Sequence, residues 1–130
     1  MRKVAFACVH NAGRSQMAEA LFNGYSAGRA VAYPAGTRPA AHKDRNVAKA
    51  MSEVGIDISS QQPKALTPEM LEGAERAITM CGAESVCPAA SVPVEDWGLE
   101  YPEGLPMEKV RAIREEIDAR VRVLIGEMKL

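Results

Sequence analysis

The chain has 130 residues, 47% apolar and 25% charged, and its 16 basic side chains against 17 acidic ones leave a net charge of −1. That length and balance predict a single globular domain over 1–130, large enough to bury a core without a disulfide or metal staple. They exclude a basic nucleic-acid module, which must neutralise many phosphates, and a membrane protein, since no run approaches the ~20 apolar residues of a span.

Lys3 to Ala7 is a short apolar run of β character, followed at once by Cys8-Val9-His10-Asn11-Ala12-Gly13. The run from Val4 to Val9 is only 6 residues long, too short for the core of an export signal, so a cytoplasmic location is expected. Arg14 opens a helical pattern with Met17, Ala18, Leu21, Phe22 and Tyr25 at helix spacing; Gly24 weakens it and Gly28 closes it. Ala30 to Ala35 reads as a second strand ended by Gly36. After Pro39 a second helix runs to about Val54, with Val47, Ala50, Met51 and Val54 on one face and Gly55 as its stop. Thr67-Pro68-Glu69 starts a brief helix that stops near Gly73, with a capping hydroxyl, a first-position proline and an acid at the positive end. Arg76 to Met80 is a third strand and Ser91 to Asp96 a fourth, where Pro93 marks a sheet edge. Val110, Ile113, Ile117, Val121, Leu124 and Met128, spaced 3, 4, 4, 3 and 4, predict an amphipathic helix docked on a core. Its charged residues, Lys109, Arg111, Arg114, Glu115, Glu116, Asp118, Arg120 and Arg122, are expected to face water.

Strands alternating with helices predict an α/β fold: three layers, α/β/α, around a four-stranded parallel sheet in the order 2-1-3-4. In that order strands 1 and 3 are neighbours, and the switch point between their carboxyl ends is where such folds bind ligands. Cys8 leaves the end of strand 1 and Cys81 the end of strand 3, so two thiols share that crevice. An odd cysteine count in a reducing compartment argues against a permanent disulfide framework.

Cys8 and Arg14 form a Cys-x5-Arg pair across a strand-to-helix turn, with Ser15 next. Gly13 is free to take positive φ, so the loop Val9, His10, Asn11, Ala12, Gly13 can turn its backbone N–H groups inward as an anion nest. The helix start adds unpaired N–H groups and partial positive charge, and the planar fork of Arg14 suits two oxygens of a tetrahedral anion. The same field lowers the pKa of Cys8 and keeps a nucleophilic thiolate available. Ser15 can donate to that sulfur and Asn11 can brace the loop. His10 is assigned to loop packing or solvent rather than to proton transfer. The bland reading of Cys8, a small residue finishing an apolar strand, loses to this combination. For Cys81 and Cys87, position alone leaves a strand-end core residue and a chance loop cysteine as open readings. A zinc site with Cys8 and His10 conflicts with their five-residue spacing, and no metal is expected.

The run Cys8-Val9-His10-Asn11-Ala12-Gly13-Arg14-Ser15-Gln16-Met17-Ala18-Glu19-Ala20 closely resembles the active-site loop and first helix of the thioredoxin-coupled arsenate reductases, which share the low-molecular-weight protein tyrosine phosphatase fold. Pro34-Ala35-Gly36-Thr37, Gly55-Ile56-Asp57-Ile58-Ser59 and Trp97-Gly98-Leu99 also look familial, so the resemblance spans nearly the whole chain. It implies reduction of arsenate to arsenite, an activity of arsenical resistance, without a bound cofactor. In the relay so implied, Cys8 attacks arsenate, Cys81 attacks the Cys8 sulfur, and Cys87 attacks Cys81. The resulting Cys81–Cys87 disulfide is offered to thioredoxin. The phosphatase branch needs only a Cys8 phospho-cysteine and an acid for the leaving group, and is the alternative. A non-catalytic oxyanion-binding or redox-sensing domain is a third reading.

The chain departs from the family in three places, the first being that one residue fewer separates Cys81 from Cys87 than in the best-known reductases. Where an acid usually precedes the late proline stands Tyr101, before Pro102; Glu100 is taken as the proton donor, the alternatives being Asp96 or a step with only weak leaving-group assistance. Some reductases of the family bind potassium; Asn11 and Glu19 match that site, whereas Pro34, Gln62 and Lys64 do not. Lys64 is either a replacement positive charge or a surface lysine. The expected state is a monomer with arsenate or a phosphate-like oxyanion as substrate and no nucleic-acid or membrane partner.

Overall fold

The computed structural model describes residues 2–8, 14–36, 45–58, 73–79, 94–97 and 105–130. Four strands, β1 (Arg2–Cys8), β2 (Ala30–Gly36), β3 (Arg76–Thr79) and β4 (Val94–Asp96), form one sheet in the order β2-β1-β3-β4. All three pairings are parallel. Between the strands run α1 (Arg14–Ser26) and α2 (Arg45–Glu53), and α3 (Met107–Glu127) follows β4. Central β1 is apolar through its middle because a parallel strand between two neighbours is buried on both faces. Its even positions, Val4 and Phe6, share one apolar cluster with Ala30, Ala32, Ile78 and the three helices. The opposite face carries Ala5, Ala77 and Thr79, all small and all buried.

Helix α1 packs on β1 and β2, and α3 lies against both α1 and α2. The expected stripe on α3 is buried throughout: Val110, Ile113, Ile117, Val121, Leu124 and, just past the helix end, Met128. At the middle of the core the Phe6 ring meets Phe22 of α1 edge-on and Trp97 at a tilt, each with centroids 5.8 Å apart. Gly55 ends α2 as expected. At φ 81° its N–H donates to Ser52 O at 3.0 Å, and the Ile56 N–H donates to Met51 O at 3.0 Å, the paired bonds of a Schellman turn. Gly28, at φ 83°, lies just beyond α1. No helix among the described residues is long and apolar enough to cross a membrane.

Several expectations need correction. Val54 does not share the buried face of α2; it falls in the turn beyond Glu53 and is 46% exposed. The polar side of α3 is not uniformly wet. The Arg114 side chain is 11% exposed, donating to Ala50 O at 2.8 Å and to Glu53 at 3.0 Å. The Asp118 carboxylate, 19% exposed, accepts from the Tyr25 hydroxyl and pairs with Arg122 at 2.9 Å. Both residues border the apolar stripe, where neighbouring helices close over them. Strand β1 extends one residue further at each end than its apolar run. Met80, 91–93 and the brief helix expected from Thr67 lie outside the described residues, so the described fold is the sheet with helices that share its Val4–Phe6 core.

Candidate active site

Cys8 is the last residue of β1, paired in register with Gly36, the last residue of β2. Five residues later the chain re-enters described structure as the first turn of α1, so the candidate anion loop joins a strand end to a helix start. That turn is unusual for a helix N-terminus in being polar and buried: Arg14 is 5% exposed, and Ser15 and Gln16 are fully buried. It contains no acidic residue. Its partial positive charge and the Arg14 guanidinium therefore act in the same direction, toward an anion.

The sheet brings a second strand that leads to candidate residues to the same edge. Ala7 is in register with Thr79, and Thr79 with Asp96. Cys8 is one residue beyond Ala7, Cys81 two beyond Thr79, and Glu100 four beyond Asp96. Three strands that lead to candidate chemistry thus end on one row of the sheet, and β1 and β3 flank the switch point expected from the strand order. Trp97 reinforces that row, its main-chain N–H donating to Thr79 O at 2.8 Å.

Of the candidate residues, Arg14 and Ser15 lie buried at the start of α1, and Cys8 has a placed backbone at the end of β1. Val9, His10, Asn11, Ala12, Gly13, Cys81, Cys87 and Glu100 lie outside the described residues. Three buried polar residues carry no role in the sequence analysis: Gln16, in the α1 first turn, Ser26, ending α1, and Thr79, ending β3. The available signal was a polar side chain at each end of an apolar pattern. Glu19, matched to the potassium site, is half-buried and accepts a hydrogen bond from Asn23 Nδ2 at 3.2 Å. Asn23 Oδ1 in turn accepts from the Ala32 N–H at 3.1 Å, which ties α1 to β2. Pro34, beside Phe6 in β2, has no side-chain oxygen to offer. Asn11, Gln62 and Lys64, the other positions compared with the potassium site, lie outside the described residues.

The family model for low molecular weight phosphotyrosine protein phosphatase matches residues 3–130. An arsenate reductase of Halalkalibacterium halodurans is 39% identical over 129 residues, covering 92% of this chain and 91% of the relative. Among solved structures, a thioredoxin-dependent arsenate reductase of Corynebacterium glutamicum is 38% identical with a TM-score of 0.86 over 99% of this chain, which spans 62% of that longer protein. An arsenate reductase in its phosphate binding state is 31% identical with a TM-score of 0.86, and 98% of each chain is covered. The parallel sheet, the buried Arg14-Ser15 turn and these matches over most of the chain agree: the chain belongs to the low molecular weight phosphotyrosine protein phosphatase family and groups with its arsenate reductases.

Proposed function

We propose that the protein reduces arsenate to arsenite through three thiols and is recycled by thioredoxin. The observation that carries this reading is the near-full-length similarity to arsenate reductases, with Cys8 at the end of the central strand and β3, which leads to Cys81, alongside it. Arsenate sits in the loop of Val9, His10, Asn11, Ala12 and Gly13, held by its N–H groups and by Arg14. The Cys8 thiolate forms a sulfur–arsenic bond and displaces one oxygen as water, with Ser15 donating to the sulfur and Glu100 supplying the proton. Cys81 then attacks the Cys8 sulfur. The sulfur–arsenic bond breaks, its electron pair reduces arsenic(V) to arsenic(III), and arsenite leaves. Cys87 attacks Cys81, freeing Cys8 as a thiolate, and two thiols of thioredoxin reduce the Cys81–Cys87 disulfide.

In the same reading the protein acts as one domain over 1–130, a cytoplasmic monomer without a bound cofactor. A second helical layer covers the face of Ala5, Ala77 and Thr79, completing three layers.

The test is a single turnover of fully reduced protein with arsenate, oxygen excluded, followed by intact mass and disulfide mapping. Stoichiometric arsenite and a Cys81–Cys87 disulfide support the relay. The family's phosphatase chemistry gives the other outcome: all three thiols stay reduced while a phosphoester is hydrolysed through Cys8.

A further inference from the structure

Trp97 stands outside the chemistry just described, yet it contacts both β1 and β3, the strands that lead to Cys8 and Cys81. The indole is 5% exposed. Its ring packs on Phe6, two residues before Cys8, with centroids 5.8 Å apart at 55°. The Arg120 guanidinium of α3 lies over the ring at 5.9 Å and is itself held by Glu116 at 2.8 Å. The main-chain N–H of Trp97, not its indole, donates to the carbonyl of Thr79, two residues before Cys81, at 2.8 Å. One residue therefore joins β1, β3 and α3 at the sheet edge where β1 ends in Cys8 and β3 ends two residues before Cys81. Binding arsenate needs only the loop after β1 and the start of α1. Passing the bond from arsenic to Cys81 needs the β3 segment at a fixed offset from β1, and such transfers are sensitive to displacements near 1 Å.

We propose that Trp97 is a positioning residue for the thiol exchange between Cys8 and Cys81, acting on that step and not on oxyanion binding. This rests on the relay reading. In the step it serves, the Cys81 thiolate forms a bond to the Cys8 sulfur, the sulfur–arsenic bond breaks, and its electron pair stays on arsenic as arsenite departs. The aromatic ring sets the β1 to β3 offset through Phe6, and the main-chain bond to Thr79 transmits it to the strand that leads to Cys81.

The experiment uses Cys87→Ser protein, which stops at the first disulfide, with Trp97 native, Trp97→Phe or Trp97→Ala. Two quantities are read on each: the single-turnover rate of Cys8–Cys81 disulfide formation with arsenate, and the affinity for inorganic phosphate, from its protection of Cys8 against alkylation. The expected rate falls are roughly tenfold for Trp97→Phe and about 100-fold for Trp97→Ala, with phosphate affinity changed by less than about twofold. Trp97→Phe keeps an aromatic ring against Phe6 and serves as the folded control should Trp97→Ala be unstable. An unchanged rate in Trp97→Phe, or a rate and a phosphate affinity that fall by the same factor, overturns the proposal. If the protein with native Trp97 forms no Cys8–Cys81 disulfide, the relay itself is wrong and this role falls with it.

Discussion

Arg114 of α3 donates through Nη1 to the carbonyl of Ala50 in α2 at 2.8 Å. Ala50 lies in the last turn of α2, whose carbonyls have no partner within the helix, and a cation there also meets the negative end of the dipole. Arg111 reaches the same neighbour, Glu53, at 2.8 Å, but its side chain is 44% exposed against 11% for Arg114. Arg114→Ala should therefore cost about 1–3 kcal/mol, and Arg111→Ala clearly less, since solvent screens its ion pair. Equal losses in urea unfolding would show that the buried carbonyl bond adds nothing to the surface ion pair.

Glu53 gives the stability a pH dependence of defined sign. The hydrogen bond from Arg111, joined by Arg114, holds its carboxyl at about 2, against partial desolvation that acts the other way. A depressed folded value means that the contribution is fully present above the ordinary value of 4.5 and is lost as pH falls through about 2. The melting-temperature gap between the native protein and Glu53→Gln should be constant from pH 7 to pH 5 and narrow toward pH 2. A gap that does not narrow removes Glu53 as the titrating group.

Gly55 and Gly24 should respond to alanine with opposite signs, although a Cβ at either meets nothing within 4 Å. Gly55 takes φ 81° in the turn that closes α2, where an L side chain is strained, so Gly55→Ala should destabilise by about 1 kcal/mol. Gly24 lies exposed inside α1, and Gly24→Ala should stabilise by about 0.5–1 kcal/mol. Thermal unfolding of the two variants decides it; a shared sign would refute the conformational account.

Arg14→Lys keeps the charge at the head of α1 but loses the planar fork. Phosphate protection of Cys8 should weaken roughly 10- to 100-fold, the effect of one charge-assisted hydrogen bond of about 1.5–3 kcal/mol. Unaltered protection would mean that charge alone holds the anion.

Cys87→Ser should release arsenite once and then stop, since the first disulfide has no thiol to resolve it into the form offered to thioredoxin. Arsenite counted against protein over many equivalents of arsenate should plateau near one. Sustained turnover in this variant would sink the three-thiol relay.

The α3 stripe was legible because a 3.6-residue period needs only one apolar neighbour, and every position from Val110 to Leu124 is buried as its spacing requires. The placement of Cys8 at a strand end and Arg14 at a helix start was equally local, set by an apolar run and the pattern that follows it. Even the adjacency of β1 and β3 followed from the order of elements, since parallel connections leave few arrangements.

The neighbours that pack beside each element were not contained in the pattern. Periodicity says which stripe of a helix turns inward but is silent on its flanks, so Arg114 and Asp118 read as wet while α2 and α1 cover them. Val54 read as core, but the left-handed turn at Gly55 comes too early for it. Trp97 showed the same gap, an isolated aromatic in sequence until Phe6, Thr79 and Arg120 converged on it. Composition and spacing determined the elements, their order and the residues at their ends, because those depend on backbone geometry and on interactions a few residues apart. Only the tertiary structure decided which polar groups are buried and what each strand end is tied to, because those contacts join residues that are dozens of positions apart in the chain.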